Sequence, residues 1–230
     1  LGDVYKRQIY MNLEKYQQYS RIARGLEKAD LVLKDARIVN VFTEEIIRGD
    51  IAIQDGIIAG IGSFHGKEER DLAGRYVCPG FIDSHLHLES TLVTPAELVT
   101  AASRHGTTTF IVDPHESANV SGLAGIDYIL DQTEDVKANV YVMMPSCVPA
   151  TAIDDNGCTL TAEDMVPYLH NSRILGLGEV MDSISVVQGE KSMHDKLELF
   201  EGRIRDGHAP FLEEGDLQAY AMAGIATDHE

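Results

Sequence analysis

Two histidines, His85 and His87, stand two residues apart in the stretch PGFIDSHLHLES at 79–90. Side chains two apart on a strand point the same way, so an extended segment here presents both imidazoles to one side. If that strand ends at the mouth of a parallel barrel, both nitrogens reach a point where a divalent cation could sit. Spacing alone does not separate a metal clamp from chance. The surroundings do: Pro79-Gly80 is a turn signal, Phe81-Ile82 an apolar strand start, and Asp83 and Glu89 flank the pair with carboxylates able to ligate or orient imidazoles.

The elements that must position these residues follow from the periodicity. The segment 11–28, with Leu13, Tyr16, Ile22 and Leu26, reads as a surface helix, and 1–10 stands apart from the fold; together 1–28 form an N-terminal extension. Residues 29–78 carry short β-rich runs (Leu31–Leu33, Ala36–Val41, Ile51–Ile53, Ile57–Ile61) separated by turn residues at Arg48-Gly49-Asp50 and by a hairpin signal at Asp55-Gly56. They predict part of a small β-sandwich domain, with His65 in a solvated loop. From Pro79 to Glu230 strands alternate with helices. Helices are expected at 95–105, 121–132, from Thr161 and at 193–204; strands are expected at 81–87, 107–112, 138–143 and 173–178, then two short ones ending at His208 and His229. This is the rhythm of an α/β fold, a TIM-like (β/α) barrel. A complete barrel takes about 250 residues, and only about 150 follow Pro79, so an incomplete barrel of about six of eight units is expected. Its open edges invite pairing with further copies, which is compatible with a homo-oligomer.

In such barrels chemistry sits at the carboxyl ends of the strands. Five of the nine histidines fall there: His85 and His87, His115 in Asp113-Pro114-His115-Glu116, His208 before Ala209-Pro210, and His229 after Asp228. Glu179 ends the fourth strand. Glu89, Ser90, Asp113, His115 and Glu116 lie just past strand ends and are candidates for substrate contact or for orienting metal ligands.

Composition narrows the partners. With 37 acidic against 19 basic residues and a formal charge of -18, the chain is a poor match for a phosphate backbone or an anionic lipid surface, and a small or cationic ligand fits better. Three cysteines in no C-x-x-C pair argue against disulfides and against a thiolate zinc site, and point to a reducing cytoplasm. No apolar run approaches the roughly 20 residues of a spanning helix, and no leader opens the chain, so neither export nor membrane insertion is expected.

Taken together, PGFIDSHLHLES, GTTTFIVDPHESANVSG, GLGEVM, GHAP and DLQAYAMAGIATDHE resemble the bacterial adenine deaminase branch of the metal-dependent amidohydrolase superfamily, over roughly residues 27–230. H-x-H marks only the superfamily; DPHE with GLGEVM and GHAP is more particular. The resemblance implies two divalent cations, manganese or iron favoured and zinc compatible, with His85 and His87 on one ion, His208 and His229 on the other, and Glu179 bridging. A carboxylate between two cations offsets their repulsion. The implied reaction is hydrolysis of adenine to hypoxanthine and ammonia, a step of purine salvage, in which a water activated by the ions attacks carbon 6. The resemblance also implies a base, an aspartate on strand eight, that lies outside these 230 residues, so the chain is expected to be an inactive N-terminal fragment. A cyclic-amide hydrolase of the dihydroorotase or hydantoinase kind shares H-x-H but typically bridges its ions with lysine, and Glu179 counts against it. A non-catalytic metal-binding fragment is the alternative from another class.

Overall fold

The computed structural model describes residues 12–151 and 153–229; the expected extension at 1–10, Met11 and Glu230 lie outside them. The chain divides into two compact units between Pro79 and Gly80.

The first unit starts with helix α1 (Leu13–Ala23), whose Asn12 side chain accepts a hydrogen bond from the Lys15 amide at the helix start and whose inward residues are Tyr19 and Ile22. One mixed sheet follows: β1 (Ala29–Asn40), β2 (Glu45–Gln54), β3 (Ile57–Gly62), β4 (Gly66–Asp71) and β5 (Tyr76–Val77). Its order is β3-β2-β1-β4, with β5 also pairing with β1. Ile22 packs with Ala29, Val32, Ala52 and Phe64 in one apolar cluster. The hairpin between β2 and β3 turns at Asp55 and Gly56, with φ of 50° and 75°; two successive left-handed residues are what a two-residue hairpin of this hand requires.

Arg48-Gly49-Asp50 is not a turn. It lies inside β2, with Gly49 opposite Ala36 where the register of β1 shifts. Asp50, which as a turn residue would face water, is buried. There it receives the Lys34 ammonium and the backbone N–H groups of Asp35 and Phe64. A polar residue whose acceptors are all filled can sit inside a sheet. Strand β4 has no counterpart in the apolar pattern, because its sequence GKEERD is charged at five of six positions, and it survives as an exposed edge paired in parallel with β1.

The second unit is a curled sheet of six parallel strands: β6 (Phe81–Leu86), β7 (Thr107–Val112), β8 (Asn139–Pro145), β9 (Ile174–Val180), β10 (Ile204–Gly207) and β11 (Thr227–Asp228), each beside its predecessor in the chain. Between them run α2 (Pro95–Ser103), α3 (His115–Ser121), α4 (Leu123–Gln132), α5 (Ala162–Met165), α6 (Ser183–Gln188), α7 (Lys191–Leu199) and α8 (Glu214–Met222). This is the partial barrel expected. The core lies between sheet and helices: Phe110, Val112, Val140, Val142, Met144 and Leu177 from strands pack with Ile126, Ile129, Met193 and Leu197 from helices. The helix expected at 121–132 is α4, which starts at Leu123 after Gly122, whose φ is 61°; α3, over His115–Ser121, precedes it and was not expected. The one expected from Thr161 is a single capped turn, with Thr161 and Asp164 exchanging hydrogen bonds, followed by a 3-10 turn over Val166–His170 that contains Pro167. α6 was hidden by its β-branched sequence SISVVQ; Asp182 starts it by accepting from the Ser185 amide at 3.0 Å.

Candidate metal centre

The curl of the sheet brings the carboxyl ends of its strands onto one carboxylate. Glu179, near the end of β9, is buried. Its Oε1 lies 2.7 Å from His85 Nε2, 2.9 Å from His87 Nε2, 3.9 Å from His115 Nδ1 and 3.9 Å from His229 Nε2. Its Oε2 lies 3.6 Å from His208 Nδ1. All five histidines placed at strand ends by sequence therefore surround one side chain. Two subsets have the compactness of a metal site: His85, Glu179 and His229, and His87, His115 and Glu179, in each of which the ligand atoms lie within 4.8 Å of one another. This pairing differs from the one implied by the resemblance. His85 and His87 fall in different groups, His115 takes a place in one, and His208 stands beside both, 3.4 Å from His229.

The donor set fits cations. His85 Nε2 and His87 Nε2 are 3.0 Å apart. His87 Nδ1 is 2.8 Å from the Asp113 carbonyl oxygen, to which it donates, so the lone pair of neutral His87 is on Nε2 and faces Glu179. Several buried polar atoms here have no hydrogen-bond partner: Glu179 Oε1, His115 Nδ1 and both carboxylate oxygens of Asp113. Buried oxygens and nitrogens left this way are costly unless a cation takes them up. Mixed imidazole and carboxylate donors suit manganese, iron and zinc.

Charge on these groups is strongly displaced. The Glu179 carboxylate lifts His87 to about 9, against the opposing effect of burial. Burial favours the neutral form of Glu179, but the imidazoles of His87, His115 and His85 outweigh it and hold its pKa at about 2. Burial and the neighbouring His229 lower His85. Chelated protein should show both signs. Protonated His87 stabilises the fold fully below its unfolded value of 6.5, and this contribution disappears as pH rises through about 9. Ionised Glu179 contributes above its unfolded value of 4.5, and this is lost as pH falls through about 2. The melting temperature of the metal-free chain is thus expected to decline on the alkaline side, and His87→Ala to flatten that decline.

Asp113, the residue after β7, is 1% exposed. Its Oδ1 is 3.6 Å from His115 Nδ1, and burial raises its pKa. It sits directly over Gly178, where a Cβ would collide with Oδ2 of Asp113; the glycine preceding Glu179 in GLGEVM therefore makes room for the aspartate of DPHE. Behind Glu179 runs a polar relay that sequence reasoning missed. Ser146 Oγ donates to the Glu179 carbonyl at 2.6 Å, and Lys196 Nζ donates to the Ser146 carbonyl at 2.6 Å. A lysine on an otherwise amphipathic helix gives no sign that it points inward. Ser146→Ala removes this donor while the Met181 amide still serves the Glu179 carbonyl, and is expected to destabilise the chain by about 0.5–1.5 kcal/mol, read by denaturant unfolding.

Glu89, Ser90 and Glu116 gather a short distance away. Glu89 Oε1 accepts from the amides of Glu116 and Ser117 at 3.2 and 3.3 Å, and Ser90 Oγ donates to Glu116. Glu89 and Glu116 line a cleft of about 470 Å³ together with Ser117, Val120 and Tyr128. His65 and His194 stay outside the cluster: His65 is exposed beside Glu69, and His194 donates from Nε2 to the Val186 carbonyl. No helix among the described residues is long and apolar enough to cross a membrane.

Comparison with known proteins places this geometry in context. The model described as the amidohydrolase family matches residues 76–230. An adenine deaminase of Desulfitobacterium hafniense (strain Y51) is 58% identical over 220 residues, which is 96% of this chain and 39% of that protein. An adenine deaminase of Clostridium acetobutylicum is 50% identical over 210 residues, 90% of this chain and 37% of that protein. The chain therefore spans under two fifths of the length of these relatives. Among solved structures, an N-acyl-D-glutamate deacylase from Bordetella bronchiseptica, complexed with zinc and a phosphonate inhibitor, superposes with a TM-score of 0.59 at 18% identity, covering 87% of this chain and 51% of that one. The likeness is one of fold.

Proposed function

The chain belongs to the amidohydrolase family, and from that premise we propose that it supplies the metal-binding part of a site that hydrolyses adenine to hypoxanthine and ammonia, a purine-salvage reaction. The observation that carries this reading is the convergence of five imidazoles on the buried carboxylate of Glu179, in a chain whose relatives named adenine deaminase match it over nearly its whole length. His85, His87, His208 and His229 are proposed as ligands, with Glu179 shared between two cations and His115 a further donor. When bound, divalent ions such as manganese, iron or zinc supply Lewis-acid activation of water near neutral pH.

The residues themselves do the rest. Glu179 brings a fixed negative charge to the centre of the cluster. The Asp113 carbonyl holds His87 in the tautomer whose Nε2 can ligate. Glu89, Ser90 and Glu116, at the neighbouring cleft, offer acceptors and a hydroxyl to the amino group and ring nitrogens of a purine base. The acidic surface and three free cysteines accord with a cytoplasmic protein acting on a small molecule rather than on nucleic acid.

Two measurements test the proposal. Metal analysis of the purified 230-residue chain is expected to find close to two divalent ions. A chain extended to the length of the relatives is expected to release ammonia from adenine with manganese present, whereas the 230 residues alone, which do not include the strand-eight aspartate implied by the resemblance, should give little or no turnover. Absence of bound metal, or an extended chain inert toward adenine, would sink the reading.

A further inference from the structure

Tyr220, on α8, is 2% exposed, and its ring belongs to the core between sheet and helices. A phenylalanine would serve that packing equally well, but the hydroxyl has two partners of its own. It donates to the Val180 carbonyl at 2.7 Å and accepts from the His208 amide at 3.1 Å. Val180 follows Glu179 and closes β9, and His208 is the first residue past β10. One buried oxygen therefore joins the backbone beside the central carboxylate to the backbone of an imidazole that surrounds it.

The join falls where the sheet is irregular. Arg205 stands opposite Leu177, whereas Gly207, two residues on, stands opposite Val180, three residues on. The extra residue of β9 is accommodated at Gly178-Glu179, a bulge that re-aims a side chain at the expense of the regular ladder. Past such a bulge the ladder does not by itself fix how far His208 stands from Glu179. The hydroxyl ties the two strands again immediately beyond it. Gly207 leaves the room this needs: a Cβ there would lie 3.1 Å from the Tyr220 oxygen and 2.5 Å from the Thr227 carbonyl oxygen.

We infer that Tyr220 is a positioning residue for the metal centre, its hydroxyl setting His208 against Glu179 by holding the ends of β9 and β10 at a fixed spacing. His208 Nδ1 lies 3.6 Å from Glu179 Oε2, and ligand atoms serve one ion only while held to within about 0.5 Å of their places. Without the hydroxyl, the His208 amide and the Val180 carbonyl both lose this partner and the strand ends are free to part. The inference rests on the metal reading above and adds to it the residue that spaces two of the proposed ligands.

The test compares the 230-residue chain with Tyr220→Phe, which keeps the ring, and with Ile126→Val, a core variant in α4 whose expected cost in stability is similar. In the chelated protein, hydrogen exchange followed by NMR is expected to be about 3- to 10-fold faster at the His208 amide in Tyr220→Phe than in Ile126→Val, the factor set by one hydrogen bond. Calorimetric titration with Mn²⁺ is expected to give about 10-fold weaker binding in Tyr220→Phe, low in the range for groups that act behind a ligand, and parental binding in Ile126→Val. A general loss of stability would weaken both variants alike. Equal Mn²⁺ affinity in the two variants, or exchange at His208 no faster in Tyr220→Phe than in Ile126→Val, would overturn the inference. A parent chain that takes up no Mn²⁺ brings down the metal reading and this inference with it, whereas a parent that binds while Tyr220→Phe binds equally well brings down the inference alone.

Discussion

Glu179→Gln is expected to abolish the uptake of both ions, weakening Mn²⁺ binding by more than the roughly 100-fold that marks the upper range for residues acting behind a ligand. Among the described residues, both three-residue groups capable of holding a cation include this one carboxylate, so within these groups no other single substitution removes a donor from each. The change keeps the size of the side chain but replaces an oxygen with an amide nitrogen that only donates. It also removes the anionic charge that offsets repulsion between neighbouring cations. His85→Ala, in contrast, touches one group only and should leave uptake of one ion. Metal content per chain, measured after dialysis against a fixed low concentration of Mn²⁺, distinguishes the two patterns. Retention of two ions by Glu179→Gln would mean that the carboxylate is not shared.

A large loss of stability is expected from Phe110→Ala. Phe110 lies in β7, is 1% exposed and stands beside Val140 of β8 in register. Removing a fully buried ring forfeits its transfer free energy and leaves a cavity that the surrounding sheet closes only in part, a loss of about 3–5 kcal/mol. Against a total stability of about 5–15 kcal/mol for a domain, that shifts the denaturant midpoint substantially. The effect should reach the site as well, because β7 leads directly to Asp113, whose carbonyl orients His87. An unfolding free energy lowered by less than about 1 kcal/mol would show that the ring is not part of the cooperative core.

Most of this arrangement could be read from residue order. The alternation of apolar strands with helices predicted the parallel sheet, and the rule that barrel chemistry collects at strand ends selected His85, His87, His115, His208, His229 and Glu179, all of which the fold brings to one place. The stacking of His85 on His229 could not be read, because it depends on the curl that brings the first and last strands of the sheet together. Lys196 escaped for a related reason. It is a charged residue in an ordinary polar context, and only the packing of neighbouring strands and helices reveals that it points inward. Strand β4 was invisible because an edge strand needs no apolar face when one side of its ladder is paired and the rest meets water.

The stacking of an imidazole from the first strand on one from the last also bears on how long the protein endures. An ion held by both would join the two ends of the sheet like a clasp, adding to the pairing of β11 (Thr227–Asp228) with β10. Binding free energy at such a place is folding free energy, so metal scarcity should first loosen the strands that carry His85 and His229, exposing them to proteases well before the core melts. The supply of divalent cations would then govern how much of the protein persists, apart from whether it can act.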